Sequence, residues 1–179
     1  MWCAVVEDPA DTASVEGSRS DASGAIFGED REYRYRLWRV WDGRLPAVAF
    51  VALNPSTADE DENDRTVSTC VRFAREWGYG SVVLGNCFAL RATDPAELKR
   101  HPDPVGPEND WHLRSIASDA DRVVAAWGVH GSHRDRDREV TDLLDVDLFA
   151  LTTTKDGQPG HPLRKPGGLR PEPWSSRPR

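Results

Sequence analysis

The chain has 179 residues, a length that suits one domain with its own core. Acidic residues outnumber basic ones 30 to 23, a net charge of -7, which argues against indiscriminate coating of nucleic acid, a mode driven by Lys and Arg on phosphates. Three cysteines, Cys3, Cys70 and Cys87, without a C-x-x-C spacing, exclude a disulfide framework and a four-cysteine metal or iron–sulfur centre.

Residues 1 to 28 are rich in Ser, Asp, Ala and Gly without apolar periodicity and read as a flexible N-terminal segment. A single α/β domain is expected over 29–165, and a Pro-, Gly- and Arg-rich irregular tail over 166–179, with Trp174 available to pin it back. Two strand-like runs flank the turn signal Trp41-Asp42-Gly43, predicting an antiparallel hairpin that leads into the first central strand. That strand, Val48 to Leu53, is apolar throughout, as expected when both faces are covered. Val67, Cys70, Val71, Ala74 and Trp77 then fall on one face of a helix, with Asp64 or Thr66 to cap it and Gly78 to end it.

Ser81 to Gly85 reads as a second buried strand, ending at Asn86. Helices are expected over Asp94–Arg100, Glu108–Ala120 and His133–Leu144, and strands over Arg122–Trp127 and Val146–Leu151. Strands alternating with helices predict a three-layer α/β/α fold, with a central, mainly parallel four-stranded sheet plus the N-terminal hairpin. Ligands of such sheets bind beyond the carboxyl ends of the strands, which selects Asn54, Asn86 and the segment after Leu151.

At the first corner, Asn54-Pro55-Ser56-Thr57, the residues suit either an ordinary turn or an amide held in a crevice. The acids Asp59, Glu60, Asp61, Glu62 and Asp64 fail as a calcium loop, because Asp64 and Cys70 stand where Gly and Glu are needed; the run reads as solvated surface. Asn86 offers a donor and an acceptor side by side. His161, in the loop "TKDGQPGHPL", is placed to donate to developing negative charge. His101, His112, His130 and His133 read as structural or surface residues, and no metal or cofactor is expected. Phosphate-cradling Gly-rich loops and a nucleophile elbow are absent from the sequence. No membrane span or leader is visible, so a cytoplasmic monomer that does not touch membranes is the expectation.

The motifs "LNPSTAD", "FAREWGYG", "NCFALRATDP", "DPVGPEND", "VVAAWGVHG" and "TKDGQPGHPL" resemble a bacterial, archaeal and phage family catalogued as domain of unknown function 1643, over roughly Tyr33 to Leu163. Two positions depart from that pattern: Arg65 stands where Pro is expected after Asp64, and Arg164 where an aromatic is expected after His-Pro-Leu. More distantly, "ALNP", "VVLGN", "VVAAWG" and "GHPL" are similar, in order, to corners of the uracil-DNA glycosylase superfamily, with Leu163 replacing a Ser.

That second resemblance implies a metal-independent DNA glycosylase-like hydrolase, which flips a damaged, mismatched or modified base, a pyrimidine foremost, and cleaves its N-glycosidic bond with water. Under it, the catalytic residues are Asn54, orienting the water, and His161, stabilising charge on the departing base. The binding residues are Pro55, Ser56, Asn86 reading the base edge, Phe88 and Arg91. Phe73, Trp77 and Phe88 are the candidates to stack on the base, and Arg91, Arg134, Arg136 and Arg138 the candidates to meet phosphates. The alternatives are a non-catalytic module that recognises nucleic acid or nucleotides, and a hydrolase of free nucleosides or nucleotides, which suits the acidic charge.

Overall fold

The computed structural model describes residues 23–176. These form a sheet of seven strands, not four, with four α-helices: β1 (Ser23–Phe27), β2 (Arg34–Val40), β3 (Ala47–Ala52), α1 (Arg65–Glu76), β4 (Ser81–Asn86), α2 (Pro95–Arg100), α3 (Asn109–Asp119), β5 (Arg122–Ala125), α4 (Arg136–Leu144), β6 (Leu148–Ala150) and β7 (Glu172–Trp174). The order across the sheet is β1-β2-β4-β3-β5-β6-β7. Strands β4, β3, β5 and β6 run parallel to one another, while β1, β2 and β7 attach antiparallel at the two flanks.

Strand β3 is central because its sequence, AVAFVA, has no polar face to give to water. Val48 and Phe50 face α1, where Val67, Cys70, Phe73 and Ala74 meet them. Ala49 and Val51 face the other way, against Leu98 of α2, Leu113 and Ile116 of α3, and Val140 and Leu144 of α4. Helix α1 starts where Asp64 accepts the Val67 N–H at 2.8 Å, and stops before Gly78, whose φ of 87° needs no Cβ. Val71 and Trp77 are only half-buried; Phe73 takes the core position in their stead.

The hairpin expected at Trp41-Asp42-Gly43 does not form. β2 pairs with β1 and β4, and the chain then crosses the start of β4 to reach β3, with the Trp41 and Asp42 amides both donating to Gly80 O at 3.0 Å. A strand that alternates Arg36 and Trp38 with Leu37 and Arg39 suits a flank, whereas β3 needs the middle. Strand β1 lies within the segment read as flexible, and the rest of that segment, 1–22, lies outside the described residues. β7 likewise gives the tail order: Trp174 packs edge-on against Trp127 at 5.4 Å and donates to Gly157 O. Residues 177–179 lie outside the described residues. The last predicted helix is broken, because a 3₁₀ turn over Val129–Asp135 ends with Arg134 and Asp135 at φ of 56° and 55°, and α4 begins only at Arg136. Among the described residues, no helix is long and apolar enough to cross a membrane.

A β-bulge shapes the flank. Ile26 pairs with Arg36 but Phe27 with Arg34, leaving Tyr35 as the extra residue. The slip turns Arg34 onto the same face as Leu37 and Arg39.

A Cβ at Gly80 would overlap the Asp42 carbonyl oxygen of the crossing chain, whereas Gly78 has open space around it. Gly80→Ala should therefore cost at least about 3 kcal/mol in denaturant unfolding, against about 1 kcal/mol for Gly78→Ala, which pays only for its backbone conformation.

Candidate active site

Strands β3 and β4 are neighbours, yet β3 leads to α1 on one face and β4 to α2 and α3 on the other. Where adjacent strands diverge like this, a crevice opens beyond their carboxyl ends. A cleft of about 400 Å³ lies there, lined by Ser56, Thr57, Arg91, Ala92, Thr93 and Glu97. Pro55, buried beside it, accepts the Ala92 N–H at 3.0 Å.

Asn54 sits at the end of β3 with its amide Nδ2 donating to Ala92 O at 2.7 Å and to Pro55 O at 3.0 Å. Because those partners are carbonyls, the amide orientation is fixed, and Oδ1 remains as an acceptor without a partner among the described residues. Asn54 is thus a strap between two strand ends and, on its other side, a fixed acceptor. Asn86, in register with Ala52, is 2% exposed, and its Nδ2 makes no hydrogen bond among the described residues. Its backbone carbonyl is held by Asn109, whose Nδ2 donates to Asn86 O at 3.0 Å and Cys87 O at 3.1 Å. A buried donor with no protein partner is costly, so Asn86 keeps capacity for a ligand atom or a water.

The loop bearing His161 is braced on several sides. Gly128 N donates to Pro159 O, and Gly160 N to Thr152 O; a Cβ at Gly160 would overlap the Thr152 hydroxyl. Gln158 accepts from Trp127 Nε1 at 2.9 Å and donates to buried Asp137 at 2.6 Å. His161 Nδ1 accepts the Leu163 N–H at 3.1 Å. Burial lowers the His161 pKa, with Lys165 adding to the fall and Asp64 opposing it. At neutral pH the ring is therefore uncharged, with its proton on Nε2, a fixed donor.

Asp64 acts on two of the side chains around the site. One carboxylate oxygen caps α1, and the charge acts on both His161 and Arg34. Arg34 is 3% exposed, donates to Ala58 O at 2.6 Å, and is pulled down to about 10 by burial. The acidic run, read as plain solvated surface, is held by β2 and the turn that joins it to β1: Arg39 donates to Asp59 O at 2.7 Å and Asn63 Oδ1 at 2.8 Å, and Arg31 grips the Glu60 carboxylate with two nitrogens at 2.7 and 2.9 Å.

Asn54, Asn86 and His161 are not among the residues that line the cleft, and other expected residues are also placed elsewhere. Phe88 and Phe73 are fully buried in opposite cores, and Trp77 stacks on Phe50 and Phe73 while donating to Leu169 O, so none of the three faces the cleft. Arg136 is buried, binding Cys87 O and pairing with Asp110; Arg134 donates to His101 O and Pro102 O. Arg91 does line the cleft. Among the described residues, no group of three or more His, Cys, Asp or Glu could hold a metal ion. Arg34, Asp64, Asn109 and Gln158 went unnoticed as site residues in the sequence. The "PEND" and "GQPGH" motifs that contain the last two were the available signals.

A family model for a protein of unknown function (DUF1643) matches residues 34–163. The chain belongs to the DUF1643 family. The DUF1643 span opens on Arg34 and closes on Leu163, whose amide orients His161, so it encloses every group of the site and leaves out β1 and β7. No curated protein and no solved structure matches the chain.

Burial also lowers the pKa values of His112 and His133. The unfolded chain takes up protons near pH 6.5, before these three folded histidines do. Their contribution to stability is thus complete above that pH and drains away as pH falls. Tm should drop between pH 7.5 and 5.5, and His161→Gln should reduce that slope.

Proposed function

We propose that the protein is a DNA glycosylase-like hydrolase that cleaves the N-glycosidic bond of a damaged, mismatched or modified base, a pyrimidine foremost, by metal-independent attack of water. The observation that carries this reading is His161: its Nδ1 receives a backbone amide and its pKa is depressed, so Nε2–H is a neutral, oriented donor. Such a donor stabilises an anionic leaving group without losing its proton. The resemblance of "ALNP", "VVLGN" and "GHPL" to the uracil-DNA glycosylase superfamily supports the same assignment, and the exchange of Ser for Leu163 leaves intact the backbone amide that orients the ring.

In this mechanism the sugar becomes oxocarbenium-like as the base departs. Asn54 Oδ1, held because Nδ2 is tied to Ala92 O and Pro55 O, accepts a hydrogen bond from the attacking water and aims its lone pair at the sugar carbon. Asn86 Nδ2 donates to the base edge, and His161 Nε2–H to its carbonyl oxygen, where the electron pair of the broken bond collects. Asp64 contributes negative charge that favours the cationic sugar. The base is released as its anion and the water proton leaves with solvent.

One observation favours a non-catalytic recognition module instead: the strap formed by the Asn54 amide accounts for that residue without chemistry. Oligonucleotides carrying uracil, mismatched thymine or modified pyrimidines, scored for alkali-labile abasic sites, separate the two. Base release should occur, and His161→Gln should slow it about 100-fold or more with Tm at pH 7.5 near wild type. Asn54→Ala should lose turnover as well as about 1 to 3 kcal/mol of stability. Stability loss with turnover retained would reduce Asn54 to a strap, and full turnover in His161→Gln would end the glycosylase assignment.

A further inference from the structure

The cleft at the strand ends carries a chemistry that base release alone does not use. Three hydroxyls, on Ser56, Thr57 and Thr93, line it and make no hydrogen bond among the described residues. Arg91 lies beside them with its Nε buried and without a partner. Its position is nonetheless defined, because Nη1 donates to Arg31 O at 3.2 Å and the guanidinium stands 5.1 Å from the centre of the Phe27 ring.

Arg34 stands behind the same walls. Its side chain reaches Ala58 O, two residues past Ser56, and its backbone N–H donates to Ala89 O, two residues before Arg91. Its Nε is also buried and unpartnered. Burial is the main cause of its lowered pKa; Asp64 opposes the fall, and the charges of Arg91 and Arg39 add to it. Two guanidinium groups therefore repel one another across a poorly solvated wall, and the nearby Glu60 carboxylate is already gripped by Arg31. Glu97 is the one acid among the lining residues. Unpaired buried charge is unfavourable by itself, and the low dielectric lengthens the reach of its field toward an anion.

We propose that this cleft is a phosphate-ester subsite, in which the Ser56, Thr57 and Thr93 hydroxyls and the Arg91 guanidinium donate to phosphate oxygens while the Arg34 charge attracts the anion from behind. It deepens the glycosidic reading and rests on it only for the remainder of the substrate: the molecule cleaved is phosphorylated, not a free nucleoside. The local cation pair also explains how a chain with a net charge of -7 would hold a polyanion at one place.

Inorganic phosphate titrated into the full chain at constant ionic strength, followed by calorimetry, should bind saturably. Arg91→Gln should weaken that binding about ten-fold, Ser56→Ala should weaken it less, and Arg114→Gln, on an exposed position of α3, should leave it unchanged. 2′-Deoxyuridine, its 5′-monophosphate and a short single-stranded oligonucleotide then identify the source. A gain for the monophosphate over the nucleoside assigns the site to nucleotides, and a gain for the oligonucleotide alone assigns it to the DNA backbone. Phosphate that binds no better than chloride, or an Arg91→Gln variant that binds as wild type, would overturn the subsite. None of these readings needs base release, so failure here and failure of the glycosylase assignment are separate results.

Discussion

The segment Asn86 to Ala92 leaves the sheet yet stays buried almost throughout, and buried backbone groups must find partners. Much of the site follows from that demand. The amides of Cys87, Phe88 and Ala92 donate to Ala52 O, Leu53 O and Pro55 O, those of Ala89 and Leu90 to Val105 O and Pro104 O, and that of Arg91 to Glu32 O. The carbonyls are met by side chains: Asn109 on Asn86 and Cys87, Arg136 on Cys87, and Asn54 on Ala92. Ala89 O receives the amide of Arg34. Satisfying this one stretch fixes the β3 corner, seats Arg34 and Arg136 deep in the protein, and brings the first two polar corners side by side.

Seen this way, the short motifs have physical reasons. Trp127 and Gly128 go with Gln158 and Pro159 because each pair is hydrogen-bonded across the two loops, and Gly131 lies too close to the Trp127 ring for any side chain. The result is a histidine whose ring is oriented by backbone, in a loop clamped to two helical regions and the last strand. Rigidity of that kind is what electrostatic stabilisation of a short-lived charge needs.

The sequence made the central strands, the α1 cap at Asp64 and the Asn54, Asn86 and His161 corners legible, since apolar runs and polar strand ends are local signals. It concealed what depends on distant partners. Ser23–Phe27 looks like polar linker until β2 stands beside it, and Glu172–Trp174 looks like tail until β6 does. The acidic loop seemed free because its guardians, Arg31, Arg34 and Arg39, lie 20 or more residues away in an alternating strand and its turn. Phe88 and Arg136 are of types common in ligand sites, but Phe88 lies in the core and Arg136 is buried on Cys87 O and Asp110.

The central position of β3 also governs how the chain can assemble during synthesis. This strand emerges early but has no partner on either edge until β4 and β5 have followed, each after its own intervening helices. Until then an all-apolar strand has two unpaired edges, the situation in which nascent chains aggregate. Its pairings are all long in sequence, which slows folding. The acids Asp59 to Asp64 follow that strand closely in the sequence, the kind of flanking charge that opposes aggregation of an exposed apolar segment.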